Sequence, residues 1–285
     1  MTDADLGDQA RLISLTVGDD PASWTAAGFT VSDHPHAAGC VTVGPSTIVL
    51  SGQSPDGSGR GVQSWTVGGL KGAGTGDIDG IVTGFEEVTD PDGSTGPSSG
   101  PDHANGATGI DHVVIITPDL ERTTDAFGER GLAVRRIRDT ESYGAPMRQA
   151  FLRLGPSIVE VVAPAPKDDA DLDVRPAAWF GLALEVDDLD KVAALLGDGL
   201  GSVKPAVQAG QRIATIRHRT YDISVAVALM DRRGLGARPR LHRRHRSAAR
   251  HRGERALGTS GFRGAVPGRR VAGRSHLGDL LRPSR

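Results

Sequence analysis

The sequence is poor in cysteine and in aromatic residues. Cys40 is the only cysteine, so the chain can form neither an intramolecular disulfide framework nor a cysteine-based zinc cluster, and a reducing compartment is expected. Aromatic residues make up 4% of the chain. This scarcity predicts a hydrophobic core built from Val, Ile, Leu and Ala.

Long apolar runs are also missing. No run approaches the roughly 18 residues that a membrane helix needs, and the N-terminus lacks the basic and apolar segments of a signal peptide. We therefore expect a cytoplasmic protein that does not interact with membranes. No predicted strand leads into a Gly-x-Ser-x-Gly elbow or a dinucleotide-binding fingerprint, which argues against those hydrolase and dehydrogenase classes.

Charge is distributed unevenly along the chain. Residues 231–285 contain 16 arginines, no lysine and three acidic residues, a difference of +13. The whole chain carries a formal net charge of −2, so residues 1–230 carry −15. Such a contrast indicates that the two parts differ in physical character.

The C-terminal tail, 231–285, shows no sustained apolar period and is expected to be disordered. Its arginines could neutralise phosphates, but Phe262 is its only aromatic residue of the Phe, Trp and Tyr class, so nucleic acid is not the expected partner. The composition changes abruptly after Met230, and an out-of-frame reading of GC-rich coding DNA yields this Arg, Gly, Ala, Pro and His mixture. We hypothesise that the tail derives from a frameshift.

Short apolar runs separated by Gly, Pro and Asp characterise residues 10–85. A short helix is expected to begin with Asp20 as N-cap and Pro21 at its first position. Residues 86–108 are rich in Gly, Pro, Ser and Asp, which predicts a flexible linker. The expected strands of the N-terminal region lie at 11–17, 39–44, 46–52 and 61–70.

A strand, a helix and three further strands are predicted twice within 109–230, as units 109–163 and 178–230. The first helix is expected to have Thr117 as N-cap and Pro118 at its first position, and to end at Gly131. The second helix, in 187–199, should bury one face formed by Leu189, Val192 and Leu196. The other expected strands lie at 110–116, 132–139, 147–155, 157–164, 178–186, 203–210, 211–220 and 222–230.

The two units form an internal repeat at an offset of about 69 residues, with Asp119-Leu120 falling on Asp188-Leu189. The same offset places His112 opposite Gly181. Two βαβββ units in tandem can pair their sheets into one half-open barrel, because neither buries its apolar face alone. The predicted class is therefore α+β, with residues 10–85 as a third, divergent unit.

This arrangement resembles the vicinal oxygen chelate superfamily, which includes glyoxalase-like proteins, bleomycin-resistance-type binders and extradiol dioxygenases. The resemblance rests on the repeat and on "GIDHVVIITPDLERT", "RQAFLRLG" and "SIVEVV". It is strong over 109–230, weaker over 10–85, and ends near Met230. It implies glyoxalase-like half-barrels, a small-molecule substrate or ligand, and possible assembly as a homodimer, but its motifs are specific to the fold rather than to a reaction.

The resemblance also implies metal ligands on the first and fourth strands of each unit. In the first unit these strands carry His112 and Glu160, whose donor atoms suit zinc, iron, manganese or nickel. In the second unit Gly181, and Val225 or Ala226, stand where ligands are expected, and none of them can ligate through its side chain. A divalent metal, a metal-free pair in which Glu160 abstracts a proton beside a carbonyl and His112 relays it, and a purely structural pair all remain open.

Three further residues are candidates for substrate binding: Arg148, Gln149 and Arg217. If they face the concave surface, they would bind a carboxylate or a carbonyl oxygen; alternatively, they are the solvent-facing half of an alternating strand. The resulting functional hypothesis is a small-molecule enzyme of the lyase, isomerase or dioxygenase kind. The alternative is a protein that binds or sequesters a small molecule without chemistry.

Overall fold

The structure is a computed structural model that describes residues 10–88, 100–142, 145–165 and 174–232. The interior of the expected linker and nearly all of the Arg-rich tail lie outside the described residues. Within the described ranges, none of the helices has the length and apolar character needed to cross a bilayer.

The N-terminal part forms a six-stranded sheet with the order β2-β3-β1-β4-β6-β5. The expected helix with Asp20 as N-cap is confirmed, as are the four expected strands. The elements are β1 (Arg11–Val17), α1 (Pro21–Ala26), β2 (Gly39–Val43), β3 (Ser46–Leu50), β4 (Val62–Gly68), β5 (Gly74–Ile78) and β6 (Ile81–Glu86).

This first sheet consists of two halves, and each half lacks elements of a complete βαβββ unit. β1 runs parallel to β3, β4 runs parallel to β6, and β1 and β4 join the halves by antiparallel pairing. In the first half a single bridge between Ser32 and Cys40 stands where another strand would be expected. In the second half only 69–73 separate β4 from β5, which is too short for a helix crossover. Residues 11–86 thus hold more strands than one βαβββ unit would.

The C-terminal part forms an eight-stranded sheet with the order β12-β13-β14-β11-β7-β10-β9-β8. Its curled form confirms the predicted α+β half-barrel. The elements are β7 (Ala107–Ile116), α2 (Leu120–Glu129), β8 (Val134–Ser142), β9 (Ala145–Leu154), β10 (Ser157–Pro164), β11 (Ala178–Val186), α3 (Leu189–Leu196), β12 (Lys204–Pro205), β13 (Gln211–Thr215) and β14 (Ala226–Arg232).

Each unit of the second sheet closes on itself by a parallel pair, β7 with β10 and β11 with β14. The units then meet through antiparallel pairing of β7 with β11. The apolar face predicted for α3 is confirmed, since Leu189, Val192 and Leu196 are buried.

Three local predictions were wrong: the start of α2, where Pro118 precedes the helix instead of standing at its first position, and the extents of two strands in the second unit. Asp119, not Thr117, caps α2, because its carboxylate accepts a hydrogen bond from the Arg122 N–H at 3.0 Å. The repeat already aligned Asp119 with Asp188, and Asp188 caps α3 in the same way. The strand expected at 203–210 shrinks to β12, and the one expected at 211–220 ends at Thr215, before a 3-10 turn at His218–Tyr221.

Part of the expected linker is bound to the first sheet. His103 is buried, with Nδ1 accepting the Thr30 N–H at 3.0 Å and Nε2 lying 2.9 Å from the Thr42 carbonyl oxygen. The Asn105 amide donates to the Ala27 carbonyl oxygen at 2.9 Å. Residues 100–106 therefore hold the start of β7 in a fixed place beside the first sheet.

The two sheets share one hydrophobic core. Trp65 on β4 contacts Phe127 on α2 edge-on, with ring centroids 6.1 Å apart, and Trp179 on β11 at 5.3 Å. The first sheet thus packs on the side of the second sheet that carries α2. The concave face of the second sheet is left open by this arrangement.

Asp19 is the buried polar link between the two sheets. Its carboxylate is fully buried and accepts hydrogen bonds from the Trp24 indole N–H at 3.1 Å and from the Ser224 N–H at 3.0 Å. The Arg60 guanidinium lies 3.7 Å away. Because Ser224 lies two residues before β14, this carboxylate ties the end of β1 to the last strand of the second sheet.

The Asp19 link predicts a stability effect. Asp19→Ala should lower the free energy of unfolding by about 3 kcal/mol, because it leaves two buried N–H donors without an acceptor. Asp20→Ala is the matched control, since it removes only the cap of α1 and should cost about 1 kcal/mol. Urea unfolding measures both values, and equal losses in the two variants would contradict the role given to Asp19.

Candidate functional site

Strand pairing aligns six residues in one row across the second sheet. Residues paired across neighbouring strands face the same side of a sheet, so this row defines part of the concave face. All of its members line a cavity of about 250 Å³. The row consists of Arg136, Phe151, Glu160, Val114, Gly181 and Ala226.

His112 lies in the adjacent row, which also lines the cavity. It pairs with Ile158 on one side and with Ala183 on the other, and Ala183 pairs with Ala228. His112 and Val114 are two residues apart on β7 and therefore face the same way. The strand alternation that suggested an inward His112 and Glu160 is what brings the two side chains together.

Four polar side chains form a connected chain at the cavity wall. The His112 Nδ1 lies 2.7 Å from Asp111 Oδ1, and its Nε2 lies 3.6 Å from Glu160 Oε2. The Gln149 amide donates a hydrogen bond to Glu160 Oε1 at 2.8 Å. The Glu160 side chain is 8% exposed and the His112 side chain 17%, so this network is nearly shielded from water while one end faces the cavity.

Burial and neighbouring charges shift both central groups. Burial raises the pKa of Glu160, although the charges of His112 and Arg138 act in the opposite direction. For His112, burial disfavours the imidazolium, but the hydrogen bond to Asp111 and the charge of Glu160 outweigh burial and raise the pKa. The pair can therefore hold a proton at higher pH than either isolated group would.

The second unit does not offer the matching ligands. His112 pairs with Ile158 as Gly181 pairs with Ala226, so the residue equivalent to Glu160 is Ala228. The sequence prediction of Val225 or Ala226 for this position was wrong. The sequence predicted that the last strand begins at Asp222, whereas β14 begins at Ala226, so the expected ligand position was placed too early in the chain.

A resident metal ion does not fit this set of residues. A Cβ on Gly181 would lie 2.6 Å from the Ala226 carbonyl oxygen, so the backbone leaves no room there for a ligating side chain. The Ala228 side chain has no donor atom either, so the four expected positions supply two ligands, His112 and Glu160. No group of three or more His, Cys, Asp or Glu side chains suited to a metal occurs among the described residues, whereas catalytic zinc and iron sites use about three protein ligands.

The expected substrate-binding residues separate into two groups. Gln149 lines the cavity. Arg148, its chain neighbour, points to the other side of β9 and forms an ion pair with Asp139 at 3.2 Å. Arg217 precedes the 3-10 turn and, like Arg148, is not among the described residues that line the cavity.

Two cavity residues, Arg136 and Arg138, were not singled out from the sequence. A register shift between Val134 and Arg136 changes which side of β8 the following residues face. Simple alternation from the apolar Val134 does not show this change. Arg138 pairs with Gln149, and Gln149 was a predicted site residue. Alignment of β8 beside β9 would therefore have indicated that Arg138 faces the cavity.

Comparison with known proteins supports the fold. Residues 111–215 match a family model described as the Glyoxalase/Bleomycin resistance protein/Dioxygenase superfamily. A mutant 4-hydroxymandelate synthase from Streptomyces coelicolor is similar in structure, with a TM-score of 0.51 and 14% identity over 80% of this chain and 94% of that chain. A fusion protein of a xylose isomerase-like TIM barrel with 4-hydroxyphenylpyruvate dioxygenase has a TM-score of 0.52 and 12% identity, over 80% of this chain and 50% of its own.

Methylmalonyl-CoA epimerase from Mycobacterium tuberculosis has 23% identity over 44% of this chain and 89% of that chain, with a TM-score of 0.35. No curated protein matches the chain. At these identities the similarity concerns the fold alone, and the chemistry has to be argued from the cavity.

The raised pKa of Glu160 predicts a pH effect on stability. Since the folded state binds this proton more tightly, the contribution to stability is full below the unfolded pKa and is lost as the pH rises through the folded pKa. The raised pKa of His112 acts in the same direction. Glu160→Gln should therefore flatten the decline in unfolding free energy that sets in as the pH rises above about 4.3, the ordinary pKa of a glutamate.

Urea unfolding across a series of pH values measures this decline. Glu121→Gln is the control, because Glu121 is exposed on α2. An unchanged slope in Glu160→Gln would show that Glu160 titrates alike in the folded and unfolded states.

The close contact at Gly181 predicts a second effect. Gly181→Ala should destabilise the protein by about 1–3 kcal/mol, because the added methyl group is forced against backbone. Gly128→Ala is the opposite case, with open space around the added methyl group in α2, and should stabilise by about 0.5–1 kcal/mol. Thermal unfolding of both variants tests this, and a neutral Gly181→Ala would mean that the position has room for a side chain.

Proposed function

We propose that the protein is a small-molecule enzyme that moves a proton next to a carbonyl group, with Glu160 as the base. The match of residues 111–215 to the Glyoxalase/Bleomycin resistance protein/Dioxygenase superfamily model supports a small-molecule enzyme. The observation that carries this proposal is the buried Glu160 carboxylate, which faces an open cavity and lies 3.6 Å from His112.

The reaction follows from the chemistry of the two groups. Glu160 takes a proton from the carbon beside the carbonyl, and the C–H electron pair moves onto the carbonyl oxygen to form an enolate. Return of the proton to a carbon atom gives an isomer of the substrate. Burial supports the first step, because a carboxylate whose pKa is raised is a stronger base.

His112 and its partners prepare Glu160 for this step. Asp111 holds the imidazole through Nδ1, so that Nε2 faces Glu160. Gln149 holds the other carboxylate oxygen. Because the Gln149 amide occupies Oε1, Oε2 is the oxygen that takes the proton from the substrate. The His112 imidazole lies beside Oε2 and can pass the proton on.

Isomerase or lyase chemistry is favoured over dioxygenase chemistry. An iron-dependent dioxygenase of this fold would need ligands on both units, and Gly181 and Ala228 supply none.

The second candidate function is metal-free binding without turnover, which is favoured by the apolar side chains that the second unit places around the cavity. These include Leu182, Ala183, Ile213 and Met230.

Deuterium incorporation tests the proposal. The full chain is incubated in D₂O with a panel of small ketones and oxo acids, and exchange at the carbon beside the carbonyl is followed by NMR. Glu160→Gln should lower the exchange rate by about 100-fold or more, because general-base catalysis of this kind contributes about 10²–10⁴. His112→Gln should move the low-pH decline of the rate to higher pH, because the charge of His112 lowers the pKa of Glu160.

Glu121→Gln, which alters an exposed carboxylate outside the cavity, is the control. Retention of full exchange in Glu160→Gln would eliminate the proposed base. Saturable binding of a panel member without any exchange in the unaltered protein would favour the binding function.

A further inference from the structure

We propose that Arg136 and Arg138 form a subsite for a carboxylate, so that the substrate is a small oxo acid rather than a neutral ketone. This inference deepens the proposed function and rests on it. It starts from the position of the two residues on β8, the edge strand of the second sheet.

Both guanidinium groups are directed to the same cavity as Glu160. Arg136 lies in the Glu160 row, with Phe151 between them. Arg138 pairs with Gln149, whose amide holds Glu160. Adjacent strands are about 4.8 Å apart, so Arg136 and Glu160 are separated by about 10 Å at the backbone, and a small molecule can contact both side chains.

The two arginines are available for a ligand. Among the described residues, neither forms a hydrogen bond or an ion pair within 4.0 Å. Other arginines of the structure are engaged in contacts such as Arg122 with Asp79, Arg148 with Asp139 and Arg212 with Asp231. Two neighbouring guanidinium groups at the mouth of a cavity present donors that match a carboxylate.

Charge balance favours an anion at this place. Glu160 brings a negative charge into the cavity, which would repel an anionic substrate placed directly beside it. Arg138 already lowers the pKa of Glu160 through its charge, so its field reaches the reacting end. A carboxylate bound at the β8 side and a carbonyl near Glu160 would place the two negative charges apart, each near a cation.

The other residues that line the cavity limit the size and polarity of the rest of the substrate. Phe151, Phe180, Val207 and Met230 line the cavity and favour an apolar chain or ring. The cavity volume of about 250 Å³ is below the roughly 300–1,000 Å³ of typical ligand pockets. The expected substrate is therefore an oxo acid of few carbon atoms, not a large conjugate held wholly inside.

Binding of a matched pair of probes tests the subsite. The probes are 4-oxopentanoate and its neutral methyl ester, titrated into the full chain by calorimetry. We expect the acid to bind about 10-fold more tightly than the ester, the ratio that one charged hydrogen bond supports. The double variant R136Q/R138Q should remove this preference, and R136K/R138K should retain part of it.

Arg135→Gln is the matched control, since Arg135 lies on the same strand but not on the wall of this cavity; it should keep the preference. Glu160→Gln should keep or increase it, because that variant removes a negative charge. Equal binding of acid and ester, no measurable binding of the acid, or a preference that persists in R136Q/R138Q would each overturn the subsite.

The outcome is separable from that of the proposed function. A preference for the acid without deuterium exchange in any oxo acid would leave the subsite standing and reject the role of Glu160. Exchange with equal efficiency in acids and neutral ketones would support Glu160 and reject the subsite.

Discussion

The antiparallel pairing of β7 with β11 is the contact on which the architecture of the cavity depends. It joins two units that each bury one face only, and it sets the register that puts Val114 beside Gly181. Every row across the concave face passes through this seam. Without it, Glu160 and His112 would lie on an exposed four-stranded sheet, where water would remove the effect of burial on the pKa of both groups.

The two halves joined there are alike in fold and unlike in chemistry. The first unit supplies the polar groups, and the second supplies Gly181, Ala228 and apolar side chains to the same cavity. Where a ligating side chain could have stood, the second unit has only hydrogen atoms and methyl groups. The second unit therefore lines the centre of the half-barrel with apolar surface, which suits an organic molecule better than a metal ion.

The sequence was sufficient for most of the strands, both helices of the repeat and the inward pair His112 and Glu160. These features depend on local periodicity, and a polar residue that interrupts an apolar strand is visible in one dimension. Arg136 and Arg138 could not be identified in this way, because a register shift on β8 decides which face they occupy. Arg148 illustrates a related limit. Alternation along β9 already places Arg148 and Gln149 on opposite faces, but only the strand pairing shows which of the two faces the cavity.

The Asp19 carboxylate has a consequence for how the chain behaves as a whole. It accepts hydrogen bonds from Trp24 in α1 and from Ser224 just before β14, while Trp65 packs against Phe127 and Trp179. The compositional boundary near the linker is therefore not an energetic boundary. The two sheets share one hydrophobic core, and the wall of the cavity at β14 is anchored by a carboxylate 205 residues earlier in the chain.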